Sequence, residues 1–178
     1  MGLVSQVHDP PENCTIDLFD ADLGGCPFTA KSTSGLYLVI RGVGGTFCPI
    51  TWKSRRRQHV ARSTADAELS SLAEGLQEEL LPIHKLVVYL LGDKAPKPVV
   101  REDNSAVVQS IKKGYSVKLR HLARTPKLSL ASLNEAFSSW CKLIQTPTAE
   151  QLGDYFTKAL LPGKFDVSVV GLEYQAKP

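Results

Sequence analysis

The run Cys14-Thr15-Ile16-Asp17-Leu18-Phe19-Asp20-Ala21-Asp22 limits what this chain can fold into more than any other stretch. Ile16 and Leu18 point one way and Asp17 and Phe19 the other, so the run reads as a strand. It closes on carboxylates, Asp20 and Asp22, and Gly24-Gly25 then break it. A short apolar strand with an acid at its end and a glycine turn behind it is where a parallel or mixed sheet builds a site. Turn chemistry alone allows the two aspartates to be polar turn residues. What favours a site is that three more carboxylates occur in matching positions further along.

The bulk properties set wide limits. The 178 residues suit one domain with a full hydrophobic core. A net charge of +3 is compatible with a polyanionic partner but does not require one. No apolar run is long enough to span a bilayer: residues 80–91 are too few, and Pro82, His84 and Lys85 interrupt them. No signal-peptide pattern opens the chain, so an intracellular location, cytoplasm or nucleus, is expected. Cys14, Cys26, Cys48 and Cys141 are scattered without close Cys or His pairing, which favours free thiols over a zinc site.

Residues 1–13, polar and carrying Pro10-Pro11, read as a flexible lead-in, with a domain over 14–161 and a tail over 162–178. Two apolar runs, 35–42 and 46–52, flank Gly44-Gly45 as a hairpin, and Pro49 assigns the second strand to an edge or a bulge. With the opening strand they predict a three-strand antiparallel meander. A basic stretch comes next, with Arg55, Arg56 and Arg57, and Arg62 close behind. It is either a solvated face or a phosphate-binding surface; its place directly before a carboxylate-bearing helix favours the second.

Ser63-Thr-Ala-Asp66 is a capping-box variant, and Ala65, Leu69, Leu72, Ala73, Leu76 and Leu80 then recur at helical spacing. Glu68 stands at the margin of that stripe, where a side chain looks into a cleft. Glu79 shares the margin but lies about 16 Å further along by helix rise, too far to share a site. Pro82 breaks or kinks the helix. Pro96-Lys-Pro98 is a connector and residues 99–103 a short strand. Asn104 then caps a helix with Val107, Val108 and Ile111 inward, Lys112-Lys113 in its last turn and Gly114 behind it. Asp103 therefore lies where a strand ends and a helix begins. The basic loop to Thr125, with Lys118, Arg120, His121 and Arg124, shows no pattern. A helix starts at Pro126, a last strand covers 140–145, and Thr148-x-x-Gln151 opens a final helix whose stripe of Leu152, Phe156, Ala159 and Leu160 leaves Asp154 facing water or a cleft.

Four carboxylates, Asp20, Glu68, Asp103 and Asp154, are thus candidates for one site. Brought together without cations they could not all stay ionised. Hard oxygen ligands suit magnesium or manganese, and two such ions form the clamp for in-line phosphodiester displacement.

At this point the chain resembles a known family, the ribonuclease H domain of copia-type LTR retrotransposon Pol polyproteins. The resemblance is carried by Asp20-Ala-Asp-Leu-Gly-Gly, Lys31-Ser-Thr-Ser-Gly35, Ile50-Thr-Trp-Lys-Ser, Gln58-His-Val-Ala-Arg-Ser-Thr-Ala-Asp-Ala-Glu68, Glu102-Asp-Asn-Ser-Ala106 and Gln151-Leu-Gly-Asp-Tyr-Phe-Thr-Lys158, in the family's order over roughly positions 16 to 160. It implies an α/β, ribonuclease H-like fold: a five-stranded mixed sheet, an antiparallel meander plus parallel strands, flanked by helices. It implies two magnesium ions, with manganese as substitute. Asp20 would bridge both; Glu68 and Asp103 would hold the ion on the leaving-group side and Asp154 the ion on the attacking-water side. The substrate implied is the RNA strand of an RNA/DNA hybrid, cut to leave a 3′-hydroxyl and a 5′-phosphate. Arg55, Arg56, Arg57, Arg62 and Asn104 would contact the nucleic acid. The implied partner is the reverse transcriptase domain of the same polyprotein, inside a virus-like particle for an active element. No Tyr-x-Asp-Asp aspartate pair of a reverse transcriptase is present, so the chain is expected to be the terminal piece or a derelict copy.

Some positions depart from the family. Gly153 stands where alanine is usual, Leu119-Arg-His-Leu122 matches the basic stretch loosely, and no histidine lies between Trp140 and Asp154. His121 is read first as a surface histidine. Asp20 is preferred to Asp22 on the family match alone, since both fall on one side of the strand. The alternative function is a catalytically inactive relic that binds nucleic acid through its arginines. An integrase or 3′-5′ exonuclease fits less well. The first pattern closes on Glu, and the second places a Glu where this chain has Asp22.

Overall fold

Apolar residues on both sides of one strand require a layer above and a layer below it, and β1 (Cys14–Leu23) has both. The computed structural model describes residues 6–23, 31–57, 63–116 and 129–157, and of residues 21–23 it describes the backbone. β1 pairs antiparallel with β2 (Thr33–Gly42), which pairs antiparallel with β3 (Phe47–Arg56). On its other side β1 runs parallel to β4 (Lys97–Glu102), and β4 runs parallel to β5 (Lys142–Gln145). The order β3-β2-β1-β4-β5 is the five-stranded mixed sheet expected, with β1 at its centre.

Ile16 and Leu18 face a helical layer made by α1 (Thr64–Gly75), α3 (Ser105–Lys113) and α4 (Leu130–Ser139), and they pack there with Leu38, Leu69, Leu72, Val107, Ile111 and Leu133. Phe19 faces the opposite side, with Tyr37 and Val39, under Phe47, Leu152 and Phe156. Asp17 shares the Phe19 side and is fully buried. Arg101 Nε donates to its Oδ2 at 2.6 Å and Arg41 stands 3.6 Å away, so a charge that would be prohibitive alone is paired. The two guanidinium groups also lie 5.5 and 5.9 Å from the centre of the Phe19 ring.

Both readings of Pro49 apply at once. β3 is an edge strand, and the register steps from Leu38 opposite Thr51 to Val39 opposite Pro49, which leaves Ile50 as the extra residue of a bulge. Lys53 to Arg56 belong to β3 itself rather than to a stretch behind it. The end of the expected lead-in is not loose. Asp9 accepts hydrogen bonds from the backbone of Gly44 (2.6 Å) and Thr46 (2.9 Å), while the Thr46 hydroxyl accepts from the His8 and Asp9 amides. One carboxylate thus closes the β2–β3 turn from outside, and these bonds hold its own pKa below the usual aspartate value, the Thr46 contact most.

Ser63 caps α1 as predicted, its hydroxyl accepting from the Asp66 amide at 3.2 Å. Pro82 does not end the helix. A wide π turn (Leu76–Leu80) leads into α2 (Leu81–Leu91), with Pro82 in the first turn of the new helix. Proline offers no N–H to the Glu78 carbonyl and its ring crowds that oxygen, and widening the preceding turn accommodates both. Asn104 caps α3 through its Oδ1, which accepts from Ala106 and Val107, and Gly114 closes the helix in the left-handed region at φ +69°. β4 starts at Lys97, earlier than expected, and tolerates Pro98 as its second residue. α4 starts behind Ser129, whose hydroxyl accepts from Ser132, and the start expected at Pro126 lies outside the described residues.

Candidate functional site

β1 outruns β4. The last pair of their parallel ladder sets Phe19 opposite Arg101, so Asp20 stands one residue past the pairing, at a mouth where the sheet splits. There Asp20 is 1% exposed, and its Oδ1 accepts from the Ser71 hydroxyl of α1 at 2.7 Å. Glu68 lies three residues before Ser71 on the same helix face, and its Oε2 accepts from the Asn104 side-chain amide. Asn104 therefore does two jobs, since its Oδ1 caps α3 while its Nδ2 holds Glu68. Asp103 lies just past the end of β4, half-buried, and accepts from the Thr148 hydroxyl at 2.8 Å.

Glu102 is not among the residues expected here. It is the last residue of β4 and 1% exposed. Its Oε1 accepts from the Asn104 amide at 3.0 Å, and its Oε2 has no hydrogen-bond partner among the described residues. Burial pushes the pKa of this carboxyl up to about 9; the charges of Asp20, Glu68 and Asp103 push the same way, and the Asn104 amide opposes them. Asp20, Glu68 and Asp103 thus each stand within electrostatic reach of Glu102.

Asp154 is carried by a different element from the one predicted, and the acids that act most on Glu102, namely Asp20, Glu68 and Asp103, do not include it. The Thr148-x-x-Gln151 signal does not cap a helix. Thr148–Glu150 and Leu152–Phe156 are short 3-10 turns without a side-chain cap. Thr148 gives its hydroxyl to Asp103 instead. Gln151, 1% exposed, donates from Nε2 to the carbonyls of Asp20 (2.9 Å) and Arg101 (3.0 Å). Those carbonyls lie where β1 and β4 separate, and a buried carbonyl without a donor is costly. The turn bearing Asp154 is thereby tied to the backbone of Asp20. Asp154 is largely buried, at 9% exposure, rather than facing open water. Gly35 makes the close approach possible: a Cβ there would meet Thr157 Cγ2 at 2.5 Å and the Gly153 carbonyl at 2.9 Å. Phe156 stacks on Tyr37, with centroids 5.5 Å apart, and Ser54 donates to the Phe156 carbonyl at 2.6 Å.

The basic residues divide between the two faces of β3. Arg55 and Arg57 point toward α1, and Lys53 toward the π turn that follows it. Lys53 pairs with Glu79; Arg55 and Arg57 meet Glu74 at 3.2 and 3.9 Å; and Arg57 also donates to the Ala67 carbonyl. Arg56 alternates to the other face with Trp52 and Ser54. Arg62, His121 and most of the basic loop lie outside the described residues, as does the side chain of Asp22.

Chemically, the mouth offers carboxylate oxygens held by neutral donors: Ser71 for Asp20, Asn104 for Glu68 and Thr148 for Asp103. In these positions no group of three or more His, Cys, Asp or Glu side chains among the described residues is arranged to hold a metal ion. The donor set itself suits a hard divalent cation. It is all oxygen and rich in carboxylates, and Glu102 Oε2 is a buried oxygen without a hydrogen-bond partner among the described residues. Sequence reasoning missed Ser71, Glu102, Thr148 and Gln151. For Ser71 the spacing from Glu68 was the available signal. For Glu102 it was strand alternation, which carries it to the side of Val100.

No family model matches the chain. Over 142 residues, 79% of its length, it is 30% identical to a retrovirus-related Pol polyprotein from transposon RE2 of Arabidopsis thaliana. The match spans 9% of that protein, so the chain corresponds to a small part of its relative. Among solved structures, LC11-RNase H1, isolated from compost by a metagenomic approach, is similar with a TM-score of 0.53 over 89% of this chain and 99% of that one, at 17% identity. The same protein in complex with an RNA/DNA hybrid gives a TM-score of 0.50 over 81% and 93% of the two chains, again at 17% identity. The chain therefore has the ribonuclease H fold and is related in sequence to a segment of a retrovirus-related Pol polyprotein from a transposon.

Proposed function

We propose that this chain is a metal-dependent endonuclease that hydrolyses the RNA strand of RNA/DNA hybrids, as a domain of a copia-type retrotransposon Pol polyprotein. The observation that carries this reading is the acid cluster where β1 and β4 part, in which Asp20, itself buried, Glu68 and Asp103 all act on Glu102. Asp20, Glu68, Asp103 and Asp154 would hold two magnesium ions, or manganese in their place. Those ions would supply an activated water and a counter-charge for the leaving oxygen. The protein's own part is orientation. Ser71 and Thr148 hold the carboxylates of Asp20 and Asp103, and Asn104 fixes Glu68 against the start of α3. Gln151 ties the turn that carries Asp154 to the backbone of Asp20.

An RNA/DNA hybrid as substrate is supported by the hybrid-bound form of LC11-RNase H1, and a place within a longer Pol polyprotein, beside its reverse transcriptase domain in this reading, by the retrovirus-related Pol relative. Arg55, Arg56 and Arg57 are proposed as phosphate contacts on β3. Arg55 would exchange Glu74 for phosphate at a small loss, because exposed ion pairs are worth only about 0–1 kcal/mol; Arg57 would also have to give up the Ala67 carbonyl or reach phosphate beside it. Such a domain would act in the cytoplasm or nucleus, or in a virus-like particle.

The test is cleavage of a labelled RNA/DNA hybrid with magnesium, manganese or chelator, beside double-stranded and single-stranded RNA. Metal-dependent cutting of the hybrid's RNA strand alone is the expected result, and Asp103→Asn is expected to abolish it while the fold stands. Parent-like cutting by that variant would mean that the site is misplaced. No cutting by a well-folded parent that still binds hybrid in a salt-sensitive way would leave the binding-module alternative in its place.

A further inference from the structure

Four acids make up the proposed metal site, and the chain brings a fifth to the same mouth. The parallel ladder sets Ile16 opposite Pro98 and Leu18 opposite Val100, and alternation carries Glu102 to the side of the sheet on which Asp20 stands. Glu102 is as deeply buried as Asp20, whereas Asp103 is half-buried and engaged by Thr148. Buried carboxylate oxygens ordinarily meet donors; Asp17 leaves Oδ1 without one, but its charge is balanced by Arg101 and Arg41. Glu102 commits Oε1 to the Asn104 amide and leaves Oε2 without a hydrogen-bond partner among the described residues, in the company of Asp20, Glu68 and Asp103.

We propose that Glu102 is itself a ligand of the divalent cation through Oε2, so that the acid position at the end of β4 is a pair, Glu102 with Asp103, rather than a single aspartate. This rests on the metal-dependent reading of the site. It assigns the two neighbours different work: Glu102 supplies the buried oxygen nearest Asp20, and Asp103 the oxygen at the open side next to Thr148. The competing explanation is a proton shared between Glu102 and a neighbouring carboxylate. A glutamine amide would donate a hydrogen in the same place and preserve that arrangement.

The experiment is Mn²⁺ binding to the full chain without nucleic acid, read by electron paramagnetic resonance of the free ion and by isothermal titration calorimetry. Parent, Glu102→Gln, Glu102→Asp and Asp20→Asn are compared, with metal-free thermal unfolding as the fold control. The expected result is at least tenfold weaker Mn²⁺ binding for Glu102→Gln, with Glu102→Asp in between and Asp20→Asn weaker still. Mn²⁺ affinity within about twofold of the parent for Glu102→Gln, while Asp20→Asn loses it, would overturn the role of Glu102 and leave the four-acid site intact. No Mn²⁺ binding by the parent, or parent-like binding by Asp20→Asn, would overturn both. If Glu102→Gln does not fold, Glu102→Thr, which removes the carboxylate and is smaller, carries the same comparison.

Discussion

The same kind of helix-start signal occurs twice in this chain, and the two regions answer it differently. At Ser63-x-x-Asp66 the hydroxyl stays at home: it accepts from the Asp66 amide, and α1 runs for three turns behind it. At Thr148-x-x-Gln151 both side chains leave. Thr148 goes to Asp103 and Gln151 to the carbonyls of Asp20 and Arg101, and the chain behind them forms a 3-10 turn. The local signals are of the same type, so the difference lies in their surroundings. The second signal sits over the split between β1 and β4, where backbone carbonyls lie past the end of the ladder. A buried carbonyl outcompetes an exposed helix amide that water can serve equally well. Gly153, with its low helix propensity, reduces the resistance to this outcome.

The largest expected effect comes from removing the claim itself. Gln151→Leu keeps the volume but leaves the carbonyls of Asp20 and Arg101 without its amide, and should cost roughly 3 kcal/mol in urea unfolding. If the variant loses less than about 1 kcal/mol, the carbonyls are served from elsewhere and the comparison fails. Next is Gly35→Ala, whose Cβ would collide with Thr157 and the Gly153 carbonyl. Overpacking there should cost about 2 kcal/mol. It should lower hybrid cleavage by more than its stability loss explains, because it lifts the Asp154 turn off the sheet, and displacement of about an ångström at a reacting centre can cost a hundredfold. Equal cleavage by folded Gly35→Ala would detach Asp154 from the reaction.

The same contrast separates the legible parts of the chain from the rest. β1, the β2–β3 hairpin, α1 and α3 were legible in the sequence because the causes are local. Apolar period, a cap and a left-handed glycine lie within a few residues of each effect, as at Asn104 and Gly114. Asp20, Glu68 and Asp103 were singled out as acids near the end of a strand, in the first turns of a helix and behind a second strand; those places are right, except that β1 runs on to Leu23. The parts that were not legible depend on register. Glu102 becomes a site residue only once β4 is aligned on β1, and a six-residue strand does not fix that alignment by itself. Asp9 looked like part of a loose lead-in because the turn it closes is 35 residues away in sequence. The 3-10 turn at Asp154 was hidden for the reason that separates the two helix-start signals: a tertiary partner took the side chains that a local rule assigned to a cap.

Smaller effects sharpen the comparison from the other side. Ser63→Ala removes a cap that serves the Asp66 amide of its own helix, so it should cost about 1 kcal/mol and leave magnesium-dependent cleavage of the folded protein unchanged. A drop in cleavage beyond the unfolded fraction would mean that the start of α1 also serves the site through Glu68. The smallest stability change belongs to Thr148→Val, which keeps the shape and removes one partly exposed hydrogen bond, worth about 0.5–1 kcal/mol. Its effect on function should be the larger of the two, because the bond is to Asp103 and not to a helix amide. Without it the carboxylate is free to turn, and cleavage should fall several-fold at limiting magnesium and recover as magnesium is raised. A hydroxyl doing the work of a cap would give the reverse result, with stability lost and the magnesium dependence unmoved. Titrating magnesium in cleavage assays of Ser63→Ala and Thr148→Val side by side therefore asks whether the second signal serves the backbone or the site.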